Sequence, residues 1–152
     1  MYKRMIITTF ITIILSLNLL GCSAASGAED LLEIVTNSNL KIHESQITET
    51  VTFVLAAIDD TLVEVMLVRT SDNTIRVALN TCENCHASGM GYYVQDGDVV
   101  ICQHCNMSFD IDYIGLNSGG CQPIPIEHFF EEGYIVIFHE ALLDSSHWFV
   151  LG

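Results

Sequence analysis

Five cysteines in the second half of the chain carry its clearest chemistry. Cys82-Glu83-Asn84-Cys85 and Cys102-Gln103-His104-Cys105 are Cys-x-x-Cys pairs with sixteen residues between Cys85 and Cys102. A two-residue spacer lets both thiolates of a pair turn onto one cation, and a second pair completes a four-sulfur shell. Two pairs at this separation are a strong metal-site signal, whereas a lone pair is a weak one. Cys121, in the stretch Gly119-Gly120-Cys121-Gln122-Pro123, is a fifth thiol that fits an additional ligand or a guard thiol.

Four thiolates suit zinc, a single iron or an iron–sulfur cluster, and ligand identity alone does not separate these. Zinc would be closed and redox-silent, supplying folding free energy to a small domain. Iron would make the protein a one-electron carrier. His86 and His104, each beside a pair, are alternative ligands. Cys82 to His86 also satisfies the C-x-x-C-H attachment motif for c-type haem, with Met90 or Met107 as the distal group. That reading leaves Cys102 and Cys105 without a role. A copper site would draw on His86, Met90, His104 and Met107, all soft or borderline donors. Ordinary surface and core filling explains these four more simply, and His43, His128, His139 and His147 are scattered as structural histidines are.

Two enzyme-like alternatives fit less well. A thiol–disulfide oxidoreductase would attack through one Cys-x-x-Cys thiolate, and wants a helix after the first cysteine. Gly89-Met90-Gly91-Tyr92-Tyr93 follows instead. No serine or cysteine nucleophile stands with a histidine and an acid in a recognisable hydrolase motif. Two disulfides with one free thiol would also account for the cysteines, but would not demand ribbon spacing.

The elements that must position the thiols read as strands. Leu40-Lys41-Ile42-His43 is a short one, and residues 50–58 form a longer one rich in β-branched and apolar side chains. Asp59-Asp60 is turn chemistry, returning the chain through Thr61 to Arg69. Ser71-Asp72-Asn73 turns again into residues 74–79, which lead directly to Cys82. Gly91 to Val94 and Val99 to Ile101 flank Gln95-Asp96-Gly97-Asp98 as a β-hairpin, with the positive φ of its tip supplied at Asp96-Gly97. Ser108 to Ile114 alternates as a half-buried strand would. Cys121 to Ile126 runs extended, because each proline biases its predecessor away from helix. Gly133 to Phe138 is a further strand, Glu131-Glu132 a solvated turn, and Glu140 to Trp148 is compatible with a short helix or an edge strand. The fold class is therefore mainly β (α+β at most), a small antiparallel meander with a zinc-ribbon-like double knuckle and hairpin.

The N-terminus reads differently. Lys3-Arg4 precede an apolar run from Met5 to Leu17, and Leu19-Leu20-Gly21-Cys22 follows as a lipobox with Cys22 as the lipidated residue. The run is shorter than the roughly 20 residues a membrane span needs. Residues 1–22 are thus a lipoprotein signal, 23–32 a small polar tether and 33–152 the metal-binding domain. Several acyl chains, palmitate among them, would hold the protein firmly on the extracytoplasmic face of the cell membrane. Processing leaves three basic residues, Lys41, Arg69 and Arg76, against 19 acidic ones, a net charge of −16. Such a surface repels phosphate backbones and excludes nucleic acid as a partner.

The run from Asn80 to Cys85, the hairpin from Gly91 to Cys105, Ile114-Gly115 and the block from Gly119 to Pro125 together resemble the FtrD-like membrane iron–sulfur protein family. The likeness covers about residues 40–149. It implies an extracytoplasmic metal-binding module of bacterial iron-transport systems, transferring electrons or handling iron beside a permease or redox partner. The family's cysteines map onto Cys82, Cys85, Cys102 and Cys105, with Cys121 additional. Its members are often attached to transmembrane helices, where this chain has a lipobox. His86 and Asn106 stand where such knuckles commonly have glycine, and a left-handed backbone is harder for histidine than for asparagine. The reading is a lipid-anchored iron–sulfur or four-cysteine metal protein; the alternative is a structural zinc module that binds a protein partner.

Overall fold

A computed structural model describes residues 35–150. The lipobox, Cys22 and the tether lie outside the described residues. Eleven strands are described: β1 (Val35–Thr36), β2 (Leu40–His43), β3 (Thr52–Ile58), β4 (Thr61–Arg69), β5 (Ile75–Cys82), β6 (Tyr93–Asp96), β7 (Val99–Cys102), β8 (Ser108–Asp110), β9 (Pro123–Pro125), β10 (Phe129–Glu131) and β11 (Tyr134–Ile137). One α-helix, α1 (His139–Ser145), follows them. The protein is mainly β.

The strands form three sheets, ordered β1-β3-β4-β5-β9, β10-β11-β2 and β6-β7-β8. All pairings are antiparallel except β1 with β3. The five-stranded sheet separates two cores, and strand periodicity decides which side chain enters which. Val63, Val65 and Leu67 of β4, with Val77 and Leu79 of β5, face a wholly aliphatic core that also takes Leu40, Ile135, Ile137 and Leu142. The intervening Met66, Val68, Ala78 and Cys82 face a second core containing Tyr93, Val100, Ile111, Ile114 and the buried cysteines. Cys82 therefore enters the second core because it lies an even number of residues from Ala78 on the same strand.

The β4–β5 turn is latched to the segment after β8. Asp72 accepts hydrogen bonds from the Thr70 and Thr74 hydroxyls at 2.6 and 2.7 Å and from the Thr74 amide at 3.1 Å. Asp112 accepts from the Ser71 amide at 3.0 Å and the Ser71 hydroxyl at 2.6 Å. The Thr70 and Thr74 hydroxyls and the Thr74 amide hold the Asp72 carboxyl down to about 2, and the Ser71 contacts lower that of Asp112. Folded values below the unfolded ones mean that these latches stabilise above about pH 4 and are lost as pH falls through the folded values. Asp72→Asn is expected to flatten the acid limb of the stability curve near pH 2–4 (about the range between the folded and unfolded values), read by thermal unfolding across that range.

Several sequence expectations change here. The strand expected over residues 108–114 ends at Asp110, because the Asp110 carboxylate accepts from the Asp112 amide at 2.9 Å and caps a 3-10 turn at Ile111–Tyr113. β10 pairs with β11 across Glu132-Gly133, whose φ values of 51° and 82° make a tight hairpin turn; Glu131 is the last strand residue rather than part of that turn. The undecided terminal segment is α1 followed by a 3-10 turn at Ser146–Phe149, with Leu142, Trp148 and Phe149 against the aliphatic core. Three of the scattered histidines make local polar contacts. His43 caps the Glu44–Gln46 turn, while His128 and His147 donate through Nδ1 to the Ile126 and Asp144 carbonyls.

Candidate metal centre

β5 carries Cys82 to its end, and the Cys85 amide donates back to the Cys82 carbonyl at 3.2 Å. This turn forms the first knuckle and folds the two thiols onto one side. A 3-10 turn at His86–Ser88 then runs to Gly89, whose φ is 72°. The left-handed residue has thus moved from the position after Cys85 to Gly89, so His86 avoids it. The second knuckle keeps the expected form. Asn106, at φ 58°, donates from its amide to the Cys102 carbonyl at 2.9 Å, and the Cys102 amide donates to the Met107 carbonyl at 3.0 Å.

Four polar contacts, buried or part-buried, hold the knuckles together. The Asn80 side-chain carbonyl accepts from the Tyr93 amide at 2.8 Å, and its amide donates to Glu64 Oε2 at 2.7 Å. Asn80 so ties β5 to the first residue of β6, which lies opposite Cys102 in the β6–β7 pair. The Tyr93 hydroxyl donates to the Cys121 carbonyl. The Cys82 thiol points at the Gly120 carbonyl, 3.8 Å away. Sequence reasoning did not single out Asn80 or Tyr93; an amide two residues before a ligand cysteine, in an otherwise apolar strand, was the available signal. Tyr93→Phe removes the hydrogen bond to the part-buried Cys121 carbonyl and is expected to cost about 1 kcal/mol, measured by urea unfolding.

The five cysteines among the described residues are all free thiols. The sulfurs of Cys82, Cys85 and Cys102 lie within 4.8 Å of one another, as do those of Cys85, Cys105 and Cys121. Cys85 belongs to both groups, and its sulfur is 4.0 Å from that of Cys121. Cys82 and Cys102 are fully buried and Cys85 nearly so, while Cys105 and Cys121 are half-buried. Cys121 reaches the group through Gly119 and Gly120, at φ 95° and 72°, and through pairing of Pro123 with Cys82. The first strand of the hairpin starts two residues later than expected, at Tyr93, because Gly91 is packed against the Cys85 backbone, while the second starts at Val99 as expected.

Burial raises the Cys85 and Cys102 thiols above their ordinary value. Hydrogen bonding to Cys105, with burial, pushes Cys121 up to about 11. Cys105 moves the other way: the Met107 amide donates to it, outweighing its burial, and the neighbouring thiols help. Burial also holds the Tyr93 phenol well above its usual range, so it stays a donor. Closely packed thiols of this kind lose their protons when a cation takes their place.

His86 and His104 stand apart from the thiols. Among the described residues, neither joins a group of mutually close metal-ligating atoms. His86 Nδ1 donates to the Glu83 carbonyl at 2.7 Å, and its ring meets Trp148 edge-on at 4.9 Å. The terminal 3-10 turn thereby braces the first knuckle. His104 is exposed, as are Met90 and Met107.

Residues 34–149 match the family model described as "Membrane iron-sulfur containing protein FtrD-like". The chain belongs to this family. No curated protein matched this FtrD-like sequence. Among solved structures it is similar to a quaternary ammonium Rieske monooxygenase, CntA, in complex with an inhibitor, at 14% identity and a TM-score of 0.45. That match covers 68% of this chain and 32% of the monooxygenase chain, so the FtrD-like chain spans about a third of its length. No helix among the described residues is long and apolar enough to cross a membrane. The thiols fit what the family description names: five free thiols in two close groups that share Cys85, three of them buried and two half-buried, are a donor set for iron or an iron–sulfur cluster.

Proposed function

We propose that this protein binds iron, as a cluster or as individual ions, through Cys82, Cys85, Cys102, Cys105 and Cys121. It then serves an iron-transport system at the extracytoplasmic face of the membrane. The observation that carries the reading is the convergence of five free thiols from three separate chain segments. Bound iron would supply one-electron chemistry. The chain's own part is to exclude water with the second core, to fix Cys82 and Cys102 on strand ends, and to leave Cys105 and Cys121 at the surface. A redox partner or permease domain would meet that half-buried side, where Met107 is exposed beside Cys105. Residues 1–22 form the lipoprotein signal in this reading, Cys22 is the lipid anchor and 23–32 the tether.

The mutual approach of the sulfurs favours a second reading, a structural zinc module for protein binding. A tetrahedral zinc with bonds near 2.3 Å brings its sulfurs about 3.8 Å apart. Redox activity separates the two. The test is anaerobic purification of the full chain in detergent, with metal and sulfide analysis and a visible spectrum on one sample. Iron, with charge-transfer absorption that weakens in Cys102→Ser, supports the redox reading. One zinc per chain and no visible band would sink it.

A further inference from the structure

The five sulfurs fall into two close groups that overlap at Cys85. Among the described residues the mutually close sets are two triads, and no set unites the four Cys-x-x-Cys sulfurs. One triad, Cys82, Cys85 and Cys102, is buried throughout; the other adds half-buried Cys105 and Cys121 to Cys85. We propose that the thiols form a two-cation centre: Cys82 and Cys102 hold an inner cation, Cys105 and Cys121 an outer one, and the Cys85 thiolate is shared between them. This rests on the metal-binding reading above and adds its nuclearity and the assignment of each ligand.

Three features carry it. Cys85 lies within 4.8 Å of every other sulfur, the placement a bridging thiolate needs, whereas a single tetrahedral ion would leave one of the five unused. Cys121 is built into the site rather than dangling beside it. Tyr93 anchors its carbonyl, Cys82 faces the carbonyl before it, and two left-handed glycines with open space around them aim the loop inward. Charge is the third feature. Five thiolates around one divalent ion leave a surplus of about three negative charges in a mostly buried pocket, and a second divalent ion reduces it to about one. The cations this centre takes are thiophilic, of the iron, zinc or cobalt kind.

The test is an anaerobic titration of reduced, metal-free full chain in detergent with cobalt(II), a spectroscopic stand-in for both iron(II) and zinc. Thiolate-to-cobalt absorption is expected to rise to two equivalents. The paramagnetic signal of cobalt(II) should grow to one equivalent and fall towards two, as the ions couple through Cys85. Cys121→Ser and Cys105→Ser should each saturate at one equivalent and keep an uncoupled signal. Saturation of the unaltered chain at one equivalent would overturn the proposal and leave the metal-binding reading standing. Two equivalents with a signal that merely doubles would also overturn it, since the sites would be separate. No thiolate-to-cobalt band at all would remove the metal-binding reading itself. If either serine variant fails to fold, the titration of the unaltered chain still decides.

Discussion

Cys102→Ser is expected to abolish tight binding of the buried inner cation and to lower the unfolding temperature by more than about 10 °C, since one kcal/mol corresponds to roughly 3–5 °C in a domain of this size. Chelation of the unaltered protein should do the same. Cys102 is fully buried at the end of β7, opposite Tyr93 and inside the second core. Apparent binding free energies of structural thiolate sites are about 10–16 kcal/mol, comparable with the whole stability of a typical domain, about 5–15 kcal/mol. Removing a ligand leaves the remaining thiols packed without the cation that compensates their charge. The aliphatic core on the other face of the five-stranded sheet has no cysteine, so its strands should retain their far-ultraviolet circular dichroism after chelation. Differential scanning with and without chelator, for both proteins, provides the comparison. Equal unfolding temperatures throughout would show that the thiols bind nothing that matters to the fold.

Gly91→Ala should destabilise the protein by about 3 kcal/mol or more, the range reserved for substitutions that clash with fixed structure. A Cβ at Gly91 would lie 2.6 Å from the Cys85 carbonyl carbon, 2.7 Å from its oxygen and 2.6 Å from the His86 nitrogen. These are backbone atoms with no rotamer to relieve the overlap. Either Cys85 shifts away from the other sulfurs or the start of β6 lifts from the first knuckle. Metal affinity falls with stability in both cases, because Cys85 is the sulfur nearest to all the others. Gly97→Ala is the control at the far end of the same hairpin. Its Cβ would meet nothing within 4 Å, and only the positive φ of 61° opposes it. About 1 kcal/mol is expected there. Urea unfolding of the two variants, each with a metal assay, should separate a knuckle effect from a turn effect. Similar losses from both would mean that Gly91 acts only through general hairpin stability.

Much of this architecture is legible in the sequence because it is local. β2 and β4 have the expected bounds, since each is a short apolar or β-branched run closed by polar turn residues. The β3–β4 turn has Asp59 at φ 50°, and the β6–β7 turn has Gly97 at 61°, each where turn chemistry pointed. The misreadings share another cause. Residues 108–114 alternate as a strand does, but a carboxylate at Asp110 captures a backbone amide and stops the ladder. β10 has too few residues to show a period, and becomes a strand because β11 lies beside it. The terminal segment has an apolar pattern suited to helix or strand, and packing against the aliphatic core selects the helix.

The sequence by itself determined which residues can hold a cation and how each knuckle turns. A Cys-x-x-Cys turn needs only its own backbone, as the Cys85 amide on the Cys82 carbonyl shows. Only the tertiary structure decided which sulfurs stand together. Side-chain alternation along β5 sends Cys82 into the second core, and Asn80 fastens the hairpin across from it. β9 then places Pro123 opposite Cys82, bringing Cys121 within 4.0 Å of Cys85 from 36 residues away. Strand register is set by packing and hydrogen bonds between segments distant in the chain. Spacing alone therefore carried no trace of the two overlapping groups of thiols.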